Sequence, residues 1–212
     1  MDEILFRSPK KRGRIAVFLS GRGSNFMALH RAVAEGRIDA DVALVFSNKA
    51  DAPGLAYARE HGLETLHLDP RAFASREDYD AALLAEADRR GIDLVCLAGY
   101  MRILTTPLCE AFRNRMMNIH PALLPSFPGL HVQQKAIDWG VRFSGCTVHF
   151  LTPELDMGPI ILQAVVPVLQ TDTEETLAAR ILAEEHKIYP EAVRLFFEGA
   201  IEIRGRKVFI LQ

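Results

Sequence analysis

Cysteine is scarce: Cys96, Cys109 and Cys146 are the only three in 212 residues, far apart and without a C-x-x-C pair. That excludes a disulfide framework and a zinc ribbon. No apolar run approaches the ~18 residues of a membrane helix. The N-terminal stretch MDEILFRSPKKRGR has only Ile4-Leu5-Phe6 before its charges, too little for a secretory signal. Charge of one sign is missing as well. With 25 basic and 27 acidic residues the net charge is -2, so no positive field holds the chain on nucleic acid by counterion release. The run Lys10-Lys11-Arg12-Gly13-Arg14 reads as a solvated tail before the first strand. With 49% hydrophobic residues, the chain is not disordered either. Repeats, linkers and low-complexity tracts are also lacking. The expectation is a cytoplasmic protein that handles small molecules and neither nucleic acid nor membrane. A flexible extension, residues 1–13, would precede one domain, residues 14–212.

What is present alternates. Ile15–Leu19 and Val42–Phe46 are continuous apolar runs, as in strands covered on both faces. Between them Asn25–Glu35 places Phe26, Leu29, Ala32 and Val33 on one helical stripe. Pro53 opens a helix that Gly62 closes. A strand near Thr65–Leu68, a helix over Ser75–Arg90, a strand at Asp93–Ala98 and another at Met116–His120 follow. This order predicts an α/β fold: an open, doubly wound, mostly parallel sheet with a Rossmann-like N-terminal half. Beyond His120 the pattern changes to a mixed-strand C-terminal half. A proline-stiffened loop leads to a short helix over Val132–Trp139, then to strands at Gly145–Leu151 and Ile160–Val168. A long helix starts near Asp172, with Glu175 in its capping pattern and Pro190 expected to kink or interrupt it. Ile201–Leu211 reads as a hairpin.

In such sheets ligands sit at the carboxyl ends of strands, and three segments there carry chemistry. Ser20-Gly-Arg-Gly-Ser-Asn25 turns from strand to helix, where unpaired N–H groups suit a phosphate. It is neither a dinucleotide fingerprint nor a Walker loop, and glycines at a turn equally serve only its shape. Gly99–Arg102 is the second segment. In Asn118-Ile119-His120 an amide and an imidazole share a strand face at period two, and Pro121 ends the strand beside them. That pair can stabilise an oxyanion and move protons. Asp156, in the turn Glu154–Pro159, matters if the fold brings it to His120, where its charge favours the imidazolium. His120, His131, His149 and Asp156 have no recognised metal spacing, so no metal is expected.

The ordered set Ser20–Asn25, Ser47–Ala52 (SNKADA), Leu97–Leu104 (LAGYMRIL), Asn118–Pro125 (NIHPALLP) and Leu155–Pro159 (LDMGP) resembles the phosphoribosylglycinamide formyltransferases, a folate-dependent family. The match runs from about Arg14 to Gly199. The resemblance implies formyl transfer from 10-formyltetrahydrofolate, as cosubstrate, to the amine of glycinamide ribonucleotide in de novo purine synthesis. It implies Asn118, His120 and Asp156 as the catalytic trio. It further implies Gly23, Ser24, Asn25, Gly99 and Glu185 on the ribonucleotide, and Arg76, Met101, Arg102, Ile103, Leu104 and Asn118 on the folate. The chain departs from the family pattern at Tyr100, where phenylalanine is common, and at Leu182, where polar residues occur. A monomer or weak homodimer is expected.

Two other functions compete. A formyltetrahydrofolate deformylase shares the Asn-x-His…Asp chemistry but normally carries a further regulatory domain and does not need the Gly-Ser-Asn loop. A non-catalytic nucleotide-binding module would use that loop and leave Asn118 and His120 without a task.

Overall fold

The computed structural model describes residues 3–211. The apolar runs become central strands: β2 (Gly13–Leu19), β3 (Ala40–Ser47), β4 (Thr65–His67), β5 (Leu94–Leu97) and β6 (Met116–His120). These five pair in parallel, and β7 (Phe143–Phe150) and β8 (Ile160–Pro167) continue antiparallel, giving the order β4-β3-β2-β5-β6-β7-β8. Because side chains alternate along β2, Ile15, Val17 and Leu19 enter one core while Ala16 and Phe18 enter the other. The first core is closed by α1 (Ser24–Ala34), α2 (Pro53–Glu60), α5 (Val132–Asp138) and α6 (Glu174–Phe197). The second is closed by α3 (Arg76–Arg89) and α4 (Thr106–Ala111). Strand order reverses between β2 and β5, so their carboxyl ends open the crevice where such sheets bind ligands.

Several expectations are corrected. From Ile4 on, the supposed flexible extension is β1 (Ile4–Arg7), paired antiparallel to β9 (Ile201–Arg204), whose other edge takes β10 (Lys207–Ile210). Its signal was non-local. Phe6 stacks on Phe196 at 6.2 Å and meets Phe150 edge-on, while Arg7 pairs with the fully buried Glu202. The basic run is no free tail: Lys11 reaches Asp93 at 2.6 Å, and Arg12 reaches Asp41 at 2.5 Å. Pro190 does not interrupt α6. A proline inside a helix costs about 3 kcal/mol, and here the buried stripe Leu177, Ile181, Tyr189, Val193 and Phe196 offsets it. The cap of α6 is a reciprocal Thr173–Thr176 box rather than a glutamate pattern. Helix α4, opened by Pro107, was not foreseen.

Candidate active site

The turn after β2 enters α1 through Gly23, the N-cap, at φ 71° and ψ 35°. A side chain there would be strained and would meet Leu19 at 3.0 Å, so glycine is sterically required at this position, whereas a Cβ at Gly21 would meet nothing within 4 Å. No side chain caps α1, so Ser24 begins the helix and its first N–H groups face outward from the strand end. Asn25 instead turns inward, donating from Nδ2 to Glu185 on α6 at 2.6 Å. Glu185 is buried, and that burial raises its pKa while the Asn25 hydrogen bond opposes the rise. Asn25 Oδ1 is buried without a protein partner, an acceptor suited to a ligand hydroxyl or amine. Ser20 joins this turn to the next strand end: its N–H donates to Gly99 O at 3.0 Å, and its Oγ accepts from the Met101 N–H at 2.8 Å.

Beyond that link lies a cavity of about 680 Å³. Gly99 and Met101–Leu104 form one wall, Gly129–Gln133 and Thr152–Asp156 another, and Asn118 and His120 its floor. Tyr79 carries the Arg102 guanidinium over its ring at 5.0 Å. The floor follows from β6: Ile119 points into the first core, leaving Asn118 and His120 on the opposite face. Antiparallel pairing with β7 sets His149 opposite Asn118 and Thr147 opposite His120. Thr147 Oγ1 donates to Ala122 O at 2.7 Å and accepts from the Leu124 N–H at 3.0 Å, which fixes the loop after His120.

The polar groups then interlock. His149 Nδ1 donates to Phe150 O at 2.9 Å, so its Nε2 is free to accept from Asn118 Nδ2 at 3.2 Å. Burial lowers the pKa of His149 and keeps it neutral in that role. His120 Nε2 lies 2.9 Å from Phe127 O; a carbonyl only accepts, so this nitrogen carries a proton. His120 Nδ1 faces Asp156 Oδ2 at 3.6 Å, and that oxygen accepts from the Gly129 N–H at 2.8 Å. The other oxygen, Asp156 Oδ1, lies 3.8 Å from His149 Nε2. Asp156 sits at φ 55° and Phe127 at φ 53°, backbone held in the left-handed region beside the chemistry.

The fold thus gathers Gly99, Met101, Arg102, Ile103, Leu104, Asn118, His120 and Asp156 around one cavity. Gly23, Ser24, Asn25 and Glu185 adjoin it through Ser20 rather than lining it. Arg76 is exposed at the start of α3, outside the lining. Sequence reasoning gave no role to Ser20, His149, the Phe127 carbonyl or the Gly129 amide. Only His149 left a signal, its place two residues after Thr147 in the strand expected at Gly145–Leu151. Among the described residues no group of three or more His, Cys, Asp or Glu side chains is arranged to hold a metal ion.

Residues 13–193 match the formyl transferase family model. Over 196 residues the chain is 46% identical to phosphoribosylglycinamide formyltransferase from Escherichia coli, covering 92% of this chain and 92% of that protein. It is 46% identical to the trifunctional purine biosynthetic protein adenosine-3 of Drosophila melanogaster, spanning 90% of this chain and only 14% of that much longer protein. The crystal structure of glycinamide ribonucleotide transformylase 1 from Symbiobacterium toebii superimposes with TM-score 0.93 at 56% identity, covering 94% of both chains. A formyltetrahydrofolate deformylase from Pseudomonas syringae shares the fold at TM-score 0.88 and 28% identity, over 95% of this chain and 67% of that one. The fold with its mostly parallel sheet, the ordered strand-end motifs and these matches agree: the chain belongs to the formyl transferase family.

Proposed function

We propose that the protein transfers a formyl group from 10-formyltetrahydrofolate to the amine of glycinamide ribonucleotide, a step of purine biosynthesis, in the cytoplasm. The observation that carries the reading is the hydrogen-bonded link by which Ser20, in the turn before the α1 N-terminus, is tied to the Gly99–Leu104 wall of the cavity that Asn118, His120 and Asp156 line. An anion on the helix end and a reacting amine at the floor are then parts of one substrate. The largely apolar cavity, with Arg102 at its wall, suits a flat heterocycle bearing carboxylates.

The residues divide the chemistry. The substrate amine attacks the formyl carbon, and the carbonyl oxygen becomes an oxyanion. Asn118 spends one N–H of its amide on His149 and has the other for that oxyanion. His120 supplies a second donor when its Nε2–H turns from Phe127 O to the oxyanion, while Nδ1 still faces Asp156. Asp156, oriented by the Gly129 N–H, stabilises the imidazolium as the proton moves toward the departing nitrogen. Asn25 and Glu185 position the ribonucleotide, and Met101, Ile103 and Leu104 pack on the folate ring.

The deformylase reading is favoured by the shared fold and differs in its acceptor. An assay with both substrates, and with each omitted, decides. Tetrahydrofolate release that requires the ribonucleotide and yields its N-formyl product is expected. Release at an equal rate without ribonucleotide makes the protein a hydrolase.

A further inference from the structure

The functional groups of the floor and of one cavity wall hang from the ends of β5 and β6, and a buried phenol touches both. Tyr189 of α6 is fully buried, and its hydroxyl lies 3.0 Å from Leu97 O and 3.0 Å from Met117 O. A phenol has one proton, here shared between two carbonyls in a three-centre bond. Leu97 ends β5 two residues before Gly99, and Met117 immediately precedes Asn118. Burial pushes the nearby Cys96 thiol up to about 12 and the phenol well above its usual value, so both keep their protons. Four residues earlier on the same buried stripe, Glu185 holds Asn25. One helix face therefore reaches the turn after β2 and the ends of β5 and β6.

We propose that Tyr189 is a positioning residue for the formyl transfer inferred above, on which this inference rests: its hydroxyl fixes the separation of the β5 and β6 ends, and with it the distance from the Gly99–Leu104 wall to Asn118 and His120. The ring alone would satisfy the core; the hydroxyl acts on the site. Misplacement of a reacting group by a fraction of an ångström lowers turnover without loss of binding.

The wild-type chain is assayed first with both substrates; absence of transfer there counts against the functional reading, not against Tyr189. Tyr189→Phe keeps the ring, and it should lower kcat roughly tenfold. Its KM for each substrate should stay within about twofold of wild type. Amide hydrogen exchange should quicken in residues 97–104 and 116–120, a readout that stands whether or not transfer is found. Phe197→Leu, at the far end of α6 where the ring covers Gly13, is the comparison: lower Tm, unchanged kcat. Tyr189 replaced by p-aminophenylalanine, whose amine offers a proton to each carbonyl, should recover kcat. Wild-type kcat and exchange in Tyr189→Phe, well below its Tm, overturn the proposal. So does a folded p-aminophenylalanine protein that keeps the low kcat. Should Tyr189→Phe fail to fold, the p-aminophenylalanine protein decides alone, by wild-type kcat or its loss.

Discussion

At the scale of single residues, the site depends on who accepts and who donates. Asp156 holds φ 55°, a conformation asparagine tolerates as well as aspartate does, so Asp156→Asn removes charge while keeping the backbone. We expect its kcat to fall by about 10²–10⁴ with Tm nearly unchanged, read by steady-state kinetics and calorimetry. Wild-type turnover would remove Asp156 from the chemistry. Asn25→Ala acts on the other ligand: it leaves Glu185 buried without its donor, a penalty of about 1–3 kcal/mol. Its main kinetic effect should be a raised KM for the ribonucleotide. An effect confined to the folate would contradict the placement of that substrate.

At the scale of elements, the turn before β8 is tightly constrained. A Cβ on Gly158 would stand 1.7 Å from Phe150 O, so Gly158→Ala must move backbone two residues from Asp156. Overpacking of this kind costs about 1–3 kcal/mol. Both Tm and kcat should drop together, in contrast to Asp156→Asn. The same turn marks the boundary of what the sequence disclosed. Asn118 and His120 were legible because strand period and Pro121 are local, and β6 has the expected bounds, Met116–His120. Gly23 was legible as a turn because its neighbours are a buried run and an apolar helical stripe. That Asp156 returns to His120 depends on the register of β7 on β6 and of β8 on β7, which no local pattern encodes. The Asn118–His149 contact was hidden for the same reason. Pro190 misled because propensity speaks for an isolated helix, whereas α6 is held by its buried stripe.

At the scale of the whole molecule, burial of histidines sets the response to acid. His149 is lowered from 6.5 by burial, as is His30, which accepts or donates at Tyr57 Oη 3.1 Å away and faces His61. The unfolded chain therefore binds more protons than the native one as the pH drops below about 6.5, and stability rises with pH through that range. The contribution is complete above the unfolded value and is lost as pH falls through the folded ones. Denaturation midpoints should decline between pH 7 and 5, and His30→Gln should flatten that decline without altering turnover at pH 7. An unchanged slope would assign the acid response elsewhere. Deleting residues 1–8 should also lower Tm, because it uncovers Phe150 and Phe196 and leaves Glu202 without Arg7.

The small sheet β1-β9-β10 has a topological consequence. β1 and β10 flank the same four-residue strand, with Ile4 opposite Arg204 and Ile210 opposite Ile201. Two strand spacings across and three residues along place these ends about 14 Å apart. A short Gly/Ser bridge between them could close the backbone into a ring, and new termini could be cut at the exposed Gly36 or Gly91 turns, far from the strand ends that hold the site. Such a circular permutant should fold and keep its turnover, because no group at the cavity depends on where the polypeptide starts.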